Sequence, residues 1–303
     1  MRQGSSSYTA VWVTFLRAIV TNARLGTILD DPIAESFLPA HLRRLARRRY
    51  VQRGLARLAQ RRRTSGLAEI LLRARYCEDQ LTRAVADGRA AQYMILGAGW
   101  DSFSVRQTDL LPKLRVFELD HPATQQAKRE RLEQLGFHLP AQVTLVPIDF
   151  ERQAIDERLL AHGFDPDLPT FVNWLGVTYY LTEPVIDGVF QTLARLCRND
   201  LEVVFDYADV VRKGGPGTPI YWRIRRRFMR YLGEPFHTAL IPDSLPARFK
   251  ALGYELVANF VGKQQAQIVA PGEMGPFQAG GHLHIAHVRR PKGLIEPAHT
   301  PTS

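Results

Sequence analysis

Hydrophobic and polar positions change their period near Gln92. Before it, apolar residues recur at helical spacing, as at Leu42, Leu45, Val51, Leu55 and Leu58, which predicts one or two amphipathic helices. Beyond it, short apolar runs alternate with helical stretches. Tyr93-Met94-Ile95-Leu96 is broken by Gly97-Ala98-Gly99, and Val116-Phe117-Glu118-Leu119-Asp120 ends in an acid before His121-Pro122. Ala123 to Leu135 reads as a helix ended by Gly136, and Val143 to Ile148 is a third run closed by Asp149. Thr170 to Leu175 and Leu201 to Phe205 follow, with a helix from Glu183 to Cys197 between them, and two closing strands are expected at 254–258 and 284–288. Strand, helix, strand without long polar linkers predicts an α/β fold with a parallel sheet covered on both faces. The expected organisation is a helical N-terminal cap over 1–90, a core over 91–290 and a frayed tail over 291–303.

Composition narrows this picture. At 303 residues, 45% hydrophobic and 23% charged, the chain has the make-up of a soluble globular protein. No apolar run approaches the roughly 20 residues that span a bilayer, and the run Ala10 to Leu16, ended by Arg17, lacks a signal-peptide pattern. Two cysteines, Cys77 and Cys197, are too few for a disulfide scaffold, so a reducing, cytoplasmic setting is expected. The net charge of +10 is local. Ten arginines and no acid lie between His41 and Arg63, and the remaining 30 basic residues balance the 30 acidic ones. A solvated helix face is the plainest reading; a nucleic-acid, acidic-membrane or acidic-protein surface are the alternatives. Tyr50 is the one aromatic in the segment, which disfavours base stacking.

In doubly wound sheets ligands sit at the carboxyl ends of the strands. Those ends read Gly97-Ala98-Gly99, Glu118-Leu119-Asp120 and Asp149-Phe150. A Gly-x-Gly turn admits close backbone approach, and an acid roughly 20 residues on suits ribose hydroxyls. Ser102 stands where a dinucleotide fingerprint has its third glycine, so a pyrophosphate cradle is incomplete and a nicotinamide cofactor is disfavoured. S-adenosylmethionine, with adenine and ribose but no phosphate, fits the set better.

Several stretches together resemble the leucine carboxyl methyltransferase-like branch of class I S-adenosylmethionine-dependent methyltransferases, which includes bacterial polyketide and small-molecule O-methyltransferases. They are Arg73-Ala74-Arg75-Tyr76-Cys77-Glu78-Asp79, Leu96-Gly97-Ala98-Gly99-Trp100-Asp101-Ser102, Phe117 to Pro122, Val146 to Phe150, Trp174 to Leu181, Gly233-Glu234-Pro235-Phe236 and Phe249 to Tyr254. The resemblance implies a Rossmann-like seven-stranded, mostly parallel sheet with an inserted substrate lid at about 212–245. It also implies that Arg73 holds the cofactor carboxylate, Gly97 faces the methionine moiety, Asp120 takes the ribose hydroxyls, and Asp149 with Phe150 holds the adenine. The same motifs put Gly99, Asp101, Glu118 and Leu175 among the cofactor-contacting candidates. Leu175-Gly176 stands where the family often has Glu-Gly, which leans toward small-molecule members.

The implied reaction is O-methylation of a small-molecule carboxylate or hydroxyl, of the kind met in secondary metabolism, leaving S-adenosylhomocysteine. A carboxylate needs no base, whereas a hydroxyl does. His237, Tyr179 and Tyr207 are the favoured catalytic candidates, with Tyr180 and Tyr221 behind them. His282, His284 and His287 do not share one strand face, so no metal site is expected. Arg223 to Arg230 could form a basic lid over an anionic acceptor. The competing functions are a tRNA or other nucleic-acid methyltransferase docking through Arg43 to Arg63, and a non-catalytic S-adenosylmethionine-binding protein. The expected assembly is a monomer or homodimer without membrane insertion.

Overall fold

In a computed structural model of the chain, residues 8–25, 28–60, 66–150, 152–209, 237–278 and 283–293 are described. Seven strands form one sheet: β1 (Gln92–Leu96), β2 (Arg115–Asp120), β3 (Val143–Pro147), β4 (Thr170–Trp174), β5 (Leu201–Ala208), β6 (Glu255–Val261) and β7 (Leu283–Arg290). Their order across the sheet is β3-β2-β1-β4-β5-β7-β6. The first five strands pair in parallel, and β7 runs antiparallel between β5 and β6. This is the mixed, helix-flanked, Rossmann-like sheet that the motifs imply. From β1 the chain winds outward to β3, then returns to β4 on the other side. That reversal opens a crevice at the carboxyl ends of β1 and β4.

Eleven helices are used below: α1 (Tyr8–Ala23), α2 (Ala34–Phe37), α3 (Ala40–Ala46), α4 (Arg49–Ala59), α5 (Gly66–Ala86), α6 (Phe103–Arg106), α7 (Pro122–Gln134), α8 (Ile155–Ala161), α9 (Glu183–Leu196), α10 (Leu245–Ala251) and α11 (Lys263–Val269). Every residue of β1, β4 and β5 is buried, so these strands read as apolar runs rather than alternations. One core packs Leu16, Ile19, Leu71 and Tyr76 of α1 and α5 on Tyr93, Phe171 and Val204. The other packs Phe190 of α9 and Phe249 of α10 on Phe117, Trp174 and Phe205.

Boundaries differ from the sequence reading where polar residues enter strands. β5 continues past Phe205 to Ala208, because Asp206 is buried within the strand rather than ending it. β7 similarly extends through Arg289 and Arg290. The arginine-rich stretch forms two helices, α3 and α4, separated at Arg47 and Arg48, and Arg61 to Arg63 lie outside the described residues. Of the expected lid at 212–245, only 237–245 is described; Tyr221 and Arg223 to Arg230 lie outside, as do His282 and the tail beyond Gly293. Among the described residues no helix is long and apolar enough to cross a membrane.

Behind the sheet a buried polar chain ties α5 to β5 and β7. The Tyr76 hydroxyl donates to Nδ1 of His287 at 3.2 Å, and Nε2 of His287 faces Oε2 of Glu202 at 3.0 Å. Arg89 pairs with the same carboxylate. Both contacts suit a neutral imidazole. Burial first, then Arg89 and Arg289, push the His287 pKa down to about 4. Between the ordinary histidine value and that one, the unfolded chain binds a proton that the folded chain refuses, so stability falls as pH is lowered through this window. We expect wild type to lose about 2 kcal/mol more than His287→Gln in urea unfolding between pH 6.5 and 5. Equal losses in the two proteins would refute this assignment.

Candidate active site

The turn after β1 needs glycine twice. Gly97 and Gly99 have φ of +75° and +48°, and a Cβ on Gly97 would stand 2.5 Å from Cγ2 of Val177. The turn folds over the end of β2, with the Gly97 and Ala98 N–H groups donating to the Leu119 carbonyl at 2.8 and 3.1 Å. The Gly99 N–H donates to Oδ2 of Asp120 at 2.5 Å, and the His121 N–H donates to Oδ1 at 2.6 Å. Burial pushes the Asp120 pKa up, opposed by these two N–H groups and by Lys128. The Ile148 N–H donates to the Asp120 carbonyl at 2.9 Å, which sets the β3 end alongside. There Asp149 opens a turn, its carbonyl accepting from Arg152 and Gln153, while Phe150 packs on the second core. Gly97, Gly99, Asp120, Asp149 and Phe150 thus gather on one edge of the sheet.

Arg73 reaches this edge from α5. It is 7% exposed and is held by Asp206 of β5; its Nη1 also donates to the Tyr179 hydroxyl at 3.2 Å. Burial opposes its charge, but Asp206 and Tyr179 more than compensate and hold its pKa above the ordinary arginine value. The other Asp206 oxygen accepts the Gly176 N–H at 2.6 Å, and the Asp206 carbonyl accepts the Thr178 hydroxyl. A Cβ on Gly176, which has φ of +82°, would lie 3.1 Å from Nη2 of Arg73. Leu175, just before this turn, packs partly buried against the first core.

Other expected residues stand elsewhere. Glu118 shares the Asp120 face of β2 but lies deeper. It pairs with buried Lys128 at 2.5 Å and accepts the Ser104 hydroxyl, so it is committed to the fold rather than to the strand-end edge. Tyr207 points to the opposite sheet face from Asp206. It donates to Asn259 at 2.9 Å and stacks on His284 at 4.7 Å, and burial raises its pKa, as do Asp209 and Asp243. That placement buries it between Asn259 and His284, away from the face on which Asp206 holds Arg73. His237 is exposed, with its backbone N–H on the Tyr179 carbonyl at 2.8 Å. Asp101 caps the first turn of α6 through the Phe103 N–H at 2.7 Å; burial opposes its charge, but Arg17 above all holds its pKa below the ordinary value. His284 and His287 lie on opposite sheet faces, and among the described residues no cluster of His, Cys, Asp or Glu could hold a metal.

Two participants escaped the sequence reading. Asp206 was hidden inside an apolar strand. Arg17, inside the apolar face of α1, is buried with Nε 2.9 Å from Asp31, and its Nη1 lies 3.9 Å from Asp101. Asp31 in turn accepts the Ser102 hydroxyl at 2.7 Å. These contacts seat α1 over the glycine turn, where a Cβ on Gly99 would come 3.4 Å from Cβ of Ala10. An aspartate in a run of apolar residues was the available signal in the first case, as an arginine was in the second.

The Rossmann-like sheet with this strand-end edge defines a class I methyltransferase architecture. The chain belongs to the leucine carboxyl methyltransferase family, whose description matches residues 10–194, and with it to the S-adenosylmethionine-dependent methyltransferases. It is 33% identical over 233 residues to YktD of Bacillus subtilis (strain 168), a candidate S-adenosyl-L-methionine-dependent methyltransferase; the match covers 72% of this chain and 76% of that one. A relative of the same description from Streptomyces coelicolor, SCO7813, is 32% identical over 198 residues, 62% of this chain and 63% of its own length. Two crystal structures share the fold. A candidate methyltransferase from Thermobifida fusca YX has a TM-score of 0.56 at 17% identity, covering 96% of this chain and 97% of that one. A DUF574-family protein from Streptomyces avermitilis MA-4680 has a TM-score of 0.58 at 10% identity, covering 95% and 99%.

Because Glu118 is the partner of a buried ammonium, Glu118→Ala should cost about 3 kcal/mol in urea unfolding. A loss below about 1 kcal/mol would show that Glu118 serves something other than the fold.

Proposed function

We propose that this protein transfers the methyl group of S-adenosylmethionine to a carboxylate or hydroxyl oxygen of a small-molecule acceptor. The observation that carries the reading is the presence, at the carboxyl ends of the strands, of a buried guanidinium, Arg73, beside the Gly176 turn after β4, and of a strand-end carboxylate, Asp120, on the Gly97-Ala98-Gly99 turn after β1. S-adenosylmethionine presents a carboxylate at one end and a ribose diol toward the other. Arg73 holds the carboxylate, Asp120 the ribose, and Asp149 with Phe150 the adenine. When bound, the cofactor supplies an electrophilic methyl on a sulfonium for in-line displacement, leaving S-adenosylhomocysteine.

The protein's own work is alignment in a dry site. Asp206 fixes the Arg73 head and the Gly176 turn together. A carboxylate acceptor arrives as a nucleophile and requires only positioning. A hydroxyl acceptor must lose a proton, and His237, beside Tyr179 on the exposed side, is the residue for that role. Leu175 supports a small acceptor of the secondary-metabolite kind, because it puts an apolar side chain where relatives often carry an acid. The two buried cysteines fit a reducing cytoplasm.

Calorimetric titration tests the reading directly. S-adenosylmethionine and S-adenosylhomocysteine should bind wild type with micromolar affinity, about tenfold or more weaker in Asp120→Ala, and NADH should not bind. Absence of binding by both sulfur nucleosides would overturn the proposal. Asp206→Asn, which leaves the Arg73 charge uncompensated, should weaken binding by a similar factor; unchanged affinity in a folded variant would remove Asp206 from the site.

A further inference from the structure

We propose that the exposed face of α4 docks an acidic amphipathic helix of a partner protein. The excess charge of the chain is concentrated here. Arg49, Arg53 and Arg57 lie four residues apart on the outer face of α4, so their stems stand about 6 Å apart along the helix axis. Arg44 and Arg48 extend the patch from α3, and all five are exposed with no acidic partner among the described residues. Arg47 alone is tied down, by Glu35. α4 is held rigidly, because Leu55 and Ala59 on its inner side are buried in the first core.

Beside the arginine row runs a second one: Tyr50, 68% exposed, then Gly54, then Leu58, 39% exposed. Gly54 is the informative member. A glycine inside an exposed helix costs about 1 kcal/mol relative to alanine. The fold gives no reason for it, since Gly54 has an ordinary helical backbone and a Cβ there would meet nothing within 4 Å. What its absent side chain creates is a notch, one turn from Tyr50 on one side and one turn from Leu58 on the other. A notch flanked by apolar side chains and bordered by evenly spaced arginines matches a helix that brings one apolar knob and a row of carboxylates at the same pitch.

The alternatives fit less well. A bilayer rewards a broad apolar face, and here most of that face is turned into the core. A single-stranded nucleic acid rewards interleaved aromatics, and Tyr50 stands alone. Guanidinium groups without lysines suit bidentate pairing with carboxylates.

The probe is a fluorescent synthetic helix of about 20 residues with Glu at every fourth position and a central Leu, against a scrambled peptide of the same composition. Anisotropy at physiological salt should show micromolar binding to the full chain, loss of binding in Arg53→Glu/Arg57→Glu, and about tenfold weaker binding in Gly54→Leu. Gly54→Leu should unfold at the same or a higher temperature, which separates a filled notch from a damaged fold. No binding, equal binding of the scrambled peptide, or full affinity in Gly54→Leu would overturn the proposal. Tighter binding of phosphatidylserine vesicles or oligouridylate than of the helix would overturn it in favour of a lipid or nucleic-acid surface.

Discussion

The carboxylate of Asp206 is buried completely, and three parts of the molecule are positioned through it. One oxygen holds Arg73 of α5, the other holds the backbone after β4, and the residue itself belongs to β5. Left alone in the interior, a carboxylate of this kind would cost several kcal/mol. The guanidinium and the amide N–H offset that cost only while all three parts keep their places. A buried pair of this sort is weak evidence for stability and good evidence for geometry. It presents Arg73 in one orientation at the crevice, next to a turn whose glycine leaves the guanidinium room.

The helical region before β1 is joined to the sheet in the same manner. Arg17, Asp31 and Ser102 link α1 and the following loop to the start of α6, and Arg106 grips Glu78 of α5 at 3.0 Å. Apolar side chains of α1 and α5 share one core with β1 and β4. Polar ties concentrated around the glycine turn, together with that continuous core, fasten the helical region before β1 to the sheet. A Cβ on Gly99 would come 3.4 Å from Cβ of Ala10, so α1 lies close over this turn.

The succession of strands along the chain was legible because β1, β4 and β5 are buried on both faces and are largely apolar. The glycine turn and the strand-end acids were legible because backbone conformation and strand ends restrict residue type. Asp206 and Arg17 were not, for a common reason: hydropathy patterns treat a lone charge in an apolar run as an interruption, and only the folded partner shows that the charge is satisfied inside. Glu118 and Asp120 were grouped because both sit near the end of one strand face. What separates them is depth, set by Lys128 rising from α7 to meet the deeper one. Tyr207 shows the complementary limit. It follows Asp206 directly, and the two-residue period of a strand sends it to the other side of the sheet.

These ties also explain how the charge of the chain is divided. Around the crevice the buried and half-buried ions described above occur in compensated sets: Arg73 with Asp206, Lys128 with Glu118, Arg106 with Glu78, Arg17 with Asp31. Uncompensated charge inside a fold is too costly to keep, so each set is nearly neutral and contributes little to the field outside. The arginines of α3 and α4 face the opposite constraint. In water a row of like charges costs little at physiological ionic strength, and the fold neither needs nor forbids them. Selection on the interior therefore accounts for the placement of charge around the crevice, but not for the exposed arginines of α3 and α4 or for the glycine set among them. Those features follow from an outward contact, and the rigid seating of α4 on the first core is what lets a surface so poor in apolar area present a defined shape to it.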